Sequence, residues 1–292
     1  MQNVYRLVFL CMLLCGLTSC RQHRTPKKIS FVSSKPSQHR SGKASASHEH
    51  SRKSASMTLS LMDIVKGAPA EDVKLQHTGF VVSYNPQKCT PSWVAWELTS
   101  EETTGPISRK DYDFAPDPML DSRHQVEKQE YANSGYDRGH MCPAGDMEWS
   151  SSAMNDCHYM TNICPQTPKL NQVYWERLES ACRRWADFYG SIYIVCGPVY
   201  NSTKHTTIGT NHAIEIPDGY FKVIINLIDG EEKGIGFYYR NDDVRQTMES
   251  AALSIDQVEE LTGYDFFKEL PDEMEKMIES QILLSAKHEK SV

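Results

Sequence analysis

The sequence predicts an α+β fold with a central, mainly antiparallel sheet flanked by helices. Strand-like runs arrive in adjacent pairs separated by turn residues, which is the pattern of hairpins. They do not alternate regularly with helices, as the crossovers of a parallel sheet require. One long amphipathic segment, residues 169 to 189, stands between the two groups of strands. No repeat of solenoid length is visible.

Gly79 to Tyr84 and Trp93 to Leu98 are β-rich and are separated by Asn85-Pro86 and Thr90-Pro91, so they read as a hairpin. The polar, proline-punctuated stretch from Thr99 to Ser134 is long enough to imply a functional loop. Ser150-Ser151-Ser152 can cap a short helix ending near His158. Pro165 and Pro168 break the chain before the Lys169–Tyr189 helix, which Gly190 stops. Ile192 to Cys196, Ala213 to Ile216, Tyr220 to Leu227 and Gly234 to Arg240 read as strands, the last two joined through Asp229-Gly230. Ser254 to Leu261 and Pro271 to Ala286 finish the chain as helices.

The first sixty residues differ from the rest in composition. Arg6 precedes an apolar run, Leu7 to Leu17, too short to span a bilayer, which ends in Leu17-Thr18-Ser19-Cys20. This resembles a bacterial lipoprotein signal peptide over residues 1–19, and the resemblance implies a lipid-anchored Cys20 and an exported cell-envelope location. An ordinary secretory signal cut nearby is the alternative. Residues 20–57 carry nine Lys and Arg against one Glu and almost no large apolar side chain, so a disordered basic tether is expected. Its charge is about +8, and with Arg6 set aside the remainder of this −7 chain carries about −16. A body that acidic can grip a polyanion only where positive charge is concentrated locally. Residues 58–292 are expected to form the functional domain.

Six cysteines follow Cys20: Cys89, Cys142, Cys157, Cys164, Cys182 and Cys196. An even set in an exported protein is compatible with disulfides, although the spacing selects no pairing. A zinc site built on Cys157-His158 and Cys164 is a weak signal, since neither CxxC nor HExxH spacing occurs.

The chemistry concentrates in Tyr136-Asp137-Arg138-Gly139-His140-Met141-Cys142-Pro143-Ala144-Gly145. Phosphodiester hydrolysis needs a base for water and positive charge around phosphorus. His140 titrates near neutrality, and Arg138 offers a planar fork for phosphate oxygens. Gly139 would admit a close substrate approach or a positive φ. Downstream, Asn171, Glu179 and Arg183 fall at about 0°, 80° and 120° around an α-helix, on one side of it. They add an oxygen donor, a carboxylate and another cation. An ordinary Glu179–Arg183 surface pair with Asn171 as a cap is the bland alternative.

Asp137-Arg138-Gly139-His140-Met141 with Gly145, then Asn171 and Glu179, resembles the DNA/RNA non-specific endonuclease family, the ββα-metal nucleases of the Serratia nuclease and endonuclease G type. The likeness extends to Trp93-Val94-Ala95-Trp96, Arg109 to Phe114, Tyr159 to Gln166, Phe221 to Ile224 and Leu261 to Phe267. The resemblance implies a ββα-metal nuclease fold with His140 as general base. It implies Asn171 as the direct ligand of one Mg²⁺, replaceable by Mn²⁺, and Glu179 as holder of a metal-bound water. Arg138, Arg183 and, less securely placed, Arg109 would contact phosphate. The implied activity is sequence-independent cleavage of DNA and RNA to 5′-phosphate products. A catalytically silent nucleic-acid-binding lipoprotein and a phosphodiesterase for small nucleotides are the alternatives. Oligomeric state stays open, a homodimer being one option, and His158, His205 and His212 have no assigned partners.

Overall fold

Along the Thr90–Thr99 strand, Trp93 and Ala95 turn to one side while Val94, Trp96 and Leu98 turn to the other, and all five are fully buried. A strand buried on both faces must be covered on both faces. The computed structural model, which describes residues 58–228 and 232–282, builds that arrangement around one seven-stranded sheet. Its spatial order is Ala252–Leu253, Lys233–Arg240, Gly219–Asn226, Ser191–Val199, Thr90–Thr99, Val81–Asn85 and Val73–Gln76, and every neighbouring pair is antiparallel.

On one face, Trp96, Ile194, Tyr220, Ile224 and Phe237 pack beneath Trp175, Leu178, Cys182 and Ala186 of the long helix. On the other, Trp93, Val195, Phe221, Val223 and Ile225 meet Ile255, Val258 and Ile278 from the two C-terminal helices. Burying large side chains on both faces supplies the hydrophobic drive that holds the layers together.

The expected hairpin is the Val81–Asn85/Thr90–Thr99 pair, and the capped helix is Ser151–Cys157 with the Ser150 side chain accepting from the Ala153 amide. Gly219–Asn226 and Lys233–Arg240 pair as expected, while the Asp229-Gly230 turn lies outside the described residues. The last helix is shorter than its pattern suggests: it runs Asp272–Glu279 and Ser280 caps it. The Thr99–Ser134 segment is organised by 3-10 turns at Ser100–Glu102, Arg109–Asp111, Ser122–His124 and Lys128–Tyr131.

All six cysteines are free and buried. The disulfide-compatible reading therefore does not hold among the described residues: each thiol packs as a small apolar side chain, Cys142, Cys157, Cys164, Cys182 and Cys196 within the larger core. The proposed tether and the leader, residues 1–57, lie outside the described residues.

Candidate active site

Asp137–His140 forms a strand, antiparallel to Ile163–Gln166, with Gly139 opposite Cys164 and His140 opposite Ile163. A Cβ on Gly139 would lie 2.2 Å from Gln166 Oε1 and 2.6 Å from its Cγ. The Gln166 side chain leaves no room for a Cβ here, and Gly139 does not have a positive φ, so the positive φ that the sequence offered is not its reason. Beyond His140 the chain is pinned by buried Asn162. Its Oδ1 accepts from the Cys142 amide at 2.9 Å, and its Nδ2 donates to the carbonyls of Cys142 and Cys157, both at 2.8 Å.

The helix after this hairpin begins in π geometry over Leu170–Trp175 and continues as α over Glu176–Tyr189. Gly190, with φ of 81°, ends it. The α-helical phase assumed from sequence is thus wrong for the first turns, because i→i+5 bonding rotates them relative to the rest, a distortion frequent at functional sites. Asn171 Nδ2 donates to Asp137 Oδ2 at 2.9 Å, and Trp175 Nε1 donates to the His140 carbonyl at 3.3 Å. Both ends of the motif strand are stapled to this one segment. Gln172 Nε2 also donates to Asp137 Oδ2, at 2.8 Å.

Arg109, Phe114, Tyr136, Asp137, Arg138 and Asn171 line one open cleft of about 380 Å³. The Arg138 guanidinium lies 5.0 Å from the Phe114 ring centre and Nη1 donates to the Lys128 carbonyl at 3.3 Å, while its buried Nε has no partner. Lys128 is itself paired with Asp113. Phe114 also packs on His140, ring centres 5.2 Å apart, and His158 meets His140 edge-on at 5.1 Å. Burial, helped by the charges of His158 and Arg109, holds the His140 pKa well below its ordinary 6.5, so the imidazole is neutral at pH 7. Its Nε2 is buried and has no hydrogen-bond partner.

Beneath the helix lies a second group. Buried Asp146 accepts from Trp96 Nε1 at 3.1 Å and from Arg183 Nη1 at 2.9 Å. Lys222 is fully buried, 4.4 Å from the Trp175 ring centre and 5.2 Å from that of Trp96, and Nζ has no hydrogen bond. Glu179 completes the group, and among the described residues no donor reaches its carboxylate. Its pKa is pushed up to about 7 by burial, against the pull of Lys222 and Arg183 and with the push of Asp146. Burial also pushes the neighbouring thiols of Cys182 and Cys196 up to about 12, so they are neutral, and Glu179 and Asp146 are the carboxyl groups facing Lys222.

Of the residues expected from sequence, Arg109, Arg138 and Asn171 share the cleft, and His140 adjoins it through Phe114 and Arg138. Glu179 and Arg183 belong to the buried charge cluster. Asp146 and Lys222 were not foreseen, although a lysine inside the apolar run Tyr220 to Leu227, at the register that faces the helix, is a readable signal. The other two histidines without assigned partners are accounted for: His212 pairs with Glu130 at 2.5 Å and His205 with Asp218 at 3.1 Å.

The donor set suits a hard divalent ion. Asn171 commits its amide N–H to Asp137, which turns Oδ1 away from that carboxylate, and the Glu179 carboxylate meets no donor among the described residues. Oxygen donors of this kind match Mg²⁺, which retains much of its water.

Residues 61–273 match the family model described as DNA/RNA non-specific endonuclease. Human mitochondrial endonuclease G is 30% identical over 199 residues, covering 64% of this chain and 67% of its own length. The mitochondrial nuclease of Saccharomyces cerevisiae is 30% identical over 219 residues, 68% of this chain and 67% of its own length. The mitochondrial nuclease EXOG of Xenopus laevis is 30% identical over 209 residues, and the match spans only 58% of that relative's length. A solved structure titled as the EndoG/EndoGI complex, on the mechanism of EndoG inhibition, superposes with a TM-score of 0.68 at 26% identity over 73% of this chain and 92% of that one.

These relatives correct the localisation. Their names place them in mitochondria, and none is an envelope lipoprotein, so the exported-envelope assignment and the lipid anchor on Cys20 are withdrawn. The physical reason is that a basic residue followed by a short apolar run is common to several kinds of leader and does not specify lipidation. Among the described residues no helix is long and apolar enough to cross a membrane. The matched span, the antiparallel sheet and the hairpin-helix motif agree, and the chain belongs to the DNA/RNA non-specific endonuclease family, a family of phosphodiester hydrolases with the ββα-metal fold.

Proposed function

We propose that residues 58–292 form a divalent-metal-dependent, sequence-non-specific endonuclease that hydrolyses DNA and RNA to 5′-phosphate products. The observation that carries this reading is a neutral, motif-borne imidazole, His140, beside a cleft that two arginines share with Asn171.

Arg109 and Arg138 bind the phosphodiester oxygens. Contacts aimed at phosphate position a strand without reading its bases, which makes cleavage sequence-independent. His140 accepts the proton of the attacking water, a role open to it at pH 7 because burial keeps the ring unprotonated. Arg183 gives N–H groups to Asp146 and Ser180, and its remaining donors are available to phosphate. Asn171 Oδ1 would hold the ion directly and Glu179 through water. Bound Mg²⁺, or Mn²⁺ in its place, supplies the positive charge that stabilises the departing 3′ oxygen.

A catalytically silent binding protein has no use for a neutral general base beside the phosphate cations, and a small-nucleotide phosphodiesterase has no use for so open a cleft. Plasmid, single-stranded DNA, RNA and a small model diester are incubated with the purified protein, with and without EDTA. The polymers are cut only with metal, and His140→Ala slows cutting by about 10²–10⁴-fold. Full metal-dependent cleavage by His140→Ala, or hydrolysis of the small diester alone, overturns the reading.

A further inference from the structure

The His140 ring, the Cys157 thiol and the His158 ring offer one nitrogen, one sulfur and one nitrogen, all within 4.8 Å of one another, at the end of the motif strand and the end of the Ser151–Cys157 helix. We infer that these three residues form an inhibitory site for a borderline-soft divalent cation such as Zn²⁺, distinct from the oxygen-donor site at Asn171 and Glu179, and that occupancy takes the general base out of use. Only the inhibitory consequence rests on the proposed role of His140; binding of the ion does not.

The donor types fit. Imidazole nitrogen and thiolate select zinc-like ions, whereas magnesium prefers oxygen. Zn–N and Zn–S bonds of about 2.1 and 2.3 Å place tetrahedral neighbours about 3.3–3.6 Å apart, so the cluster must close by about an ångström, a movement within reach of side-chain torsions. His158 Nδ1 lies 2.7 Å from the Met154 carbonyl and 3.4 Å from Cys157 Sγ; donation to the carbonyl leaves Nε2 with the lone pair, so a bound ion needs the ring to shift and bring Nε2 to the thiol while Nδ1 keeps its carbonyl. The Cys157 thiol also donates to that carbonyl, at 3.1 Å, so losing this proton leaves the carbonyl satisfied by His158. His140 Nε2 is buried with no competing partner. Burial holds both imidazoles neutral and resists loss of the Cys157 proton; Arg109 favours the thiolate but repels the incoming cation, which Asp113 beside His158 and Asp156 beside Cys157 attract. Binding releases the thiol proton to solvent, both imidazoles bind neutral, and the fourth corner is left for water.

Co²⁺ added to the metal-free protein reports the site without reference to nuclease activity, through the thiolate-to-cobalt charge-transfer band in the near ultraviolet. The band appears with the native protein and is absent from Cys157→Ser. With saturating Mg²⁺, Zn²⁺ inhibits the native enzyme, and Cys157→Ser cuts normally but needs about tenfold more Zn²⁺ or above for the same inhibition. Should Cys157→Ser fold poorly, His158→Gln repeats both tests, its Zn²⁺ inhibition read against its own zinc-free rate because His158 packs on His140. No charge-transfer band with the native protein, or equal Zn²⁺ sensitivity in both variants and the native enzyme, overturns the site. A band without any nuclease activity would instead remove the proposed function and leave the metal site standing.

Discussion

Asn171 and Asp137 are joined by a 2.9 Å hydrogen bond from the amide nitrogen to the carboxylate, and this bond decides that the amide oxygen is the end left for the proposed cation. A carboxylate accepts only, so the amide must present N–H to it and keep its oxygen for the other side. Asp137→Asn removes that instruction, since an amide opposite an amide can pair in either sense. The expected outcome is a 10–100-fold loss of Mg²⁺ affinity, the size typical of a group that orients a ligand. It is read from activity against Mg²⁺ concentration, with circular dichroism unchanged.

The pH dependence should separate base from metal site. His140 is held below its ordinary 6.5, so with saturating Mg²⁺ the acid limb falls well below that value. Glu179 stands at about 7 without metal, so at low Mg²⁺ the acid limb lies near 7 and moves down as Mg²⁺ rises. Rate profiles at several Mg²⁺ concentrations test this, and a limb that never moves with metal contradicts it.

Glu179 also has a stability signature. Its folded pKa of about 7 lies above the ordinary 4.5, so the folded state binds the extra proton between these values. This contribution to stability is fully present below about 4.5 and is lost as pH rises through about 7. Glu179→Gln therefore weakens metal binding and cleavage, yet in EDTA at pH 8 it does not lower the melting temperature. A marked drop in that melting temperature would show that attraction to Lys222 outweighs the burial cost of the Glu179 charge.

Lys222 is the buried cation that Glu179 and Asp146 face. Lys222→Met leaves both carboxylates deprived of it, and removing one member of a buried charge group costs about 3–5 kcal/mol. Equilibrium urea denaturation at pH 8 measures the loss, which shrinks at pH 5 as the carboxyl of Glu179 takes up its proton.

Arg109 and Arg138 should act through phosphate alone. Each replaced by Ala is expected to weaken substrate binding equally across sequences and to reduce the slope of log affinity against log salt by about one. Fluorescence anisotropy on two unrelated oligonucleotides, in Ca²⁺ to suppress cleavage, distinguishes this from base readout.

Much of the fold was legible because local patterns report local structure. The hairpin pairs, the Ser150 cap, the helix stop at Gly190 and the Asp137-Arg138-Gly139-His140 motif all follow from residue types a few positions apart. The packing of Gly139 against Gln166 was not readable, since that neighbour is 27 positions away in sequence and touches it only through the strand pairing. The leader was misassigned because a short apolar run carries too little information to name its destination.

The sequence by itself determined the family and the motifs that hold His140 and Asn171, on which the proposed base and cation ligand rest, since a short run of residues carries its chemistry in its side chains. Tertiary structure alone decided that the helix opens in a π turn that brings Asn171 onto Asp137, that Lys222 lies beneath Glu179, and that Cys157 and His158 come against His140. These depend on strand register and on which buried groups share a low-dielectric space, and such relations exist only once distant parts of the chain have packed.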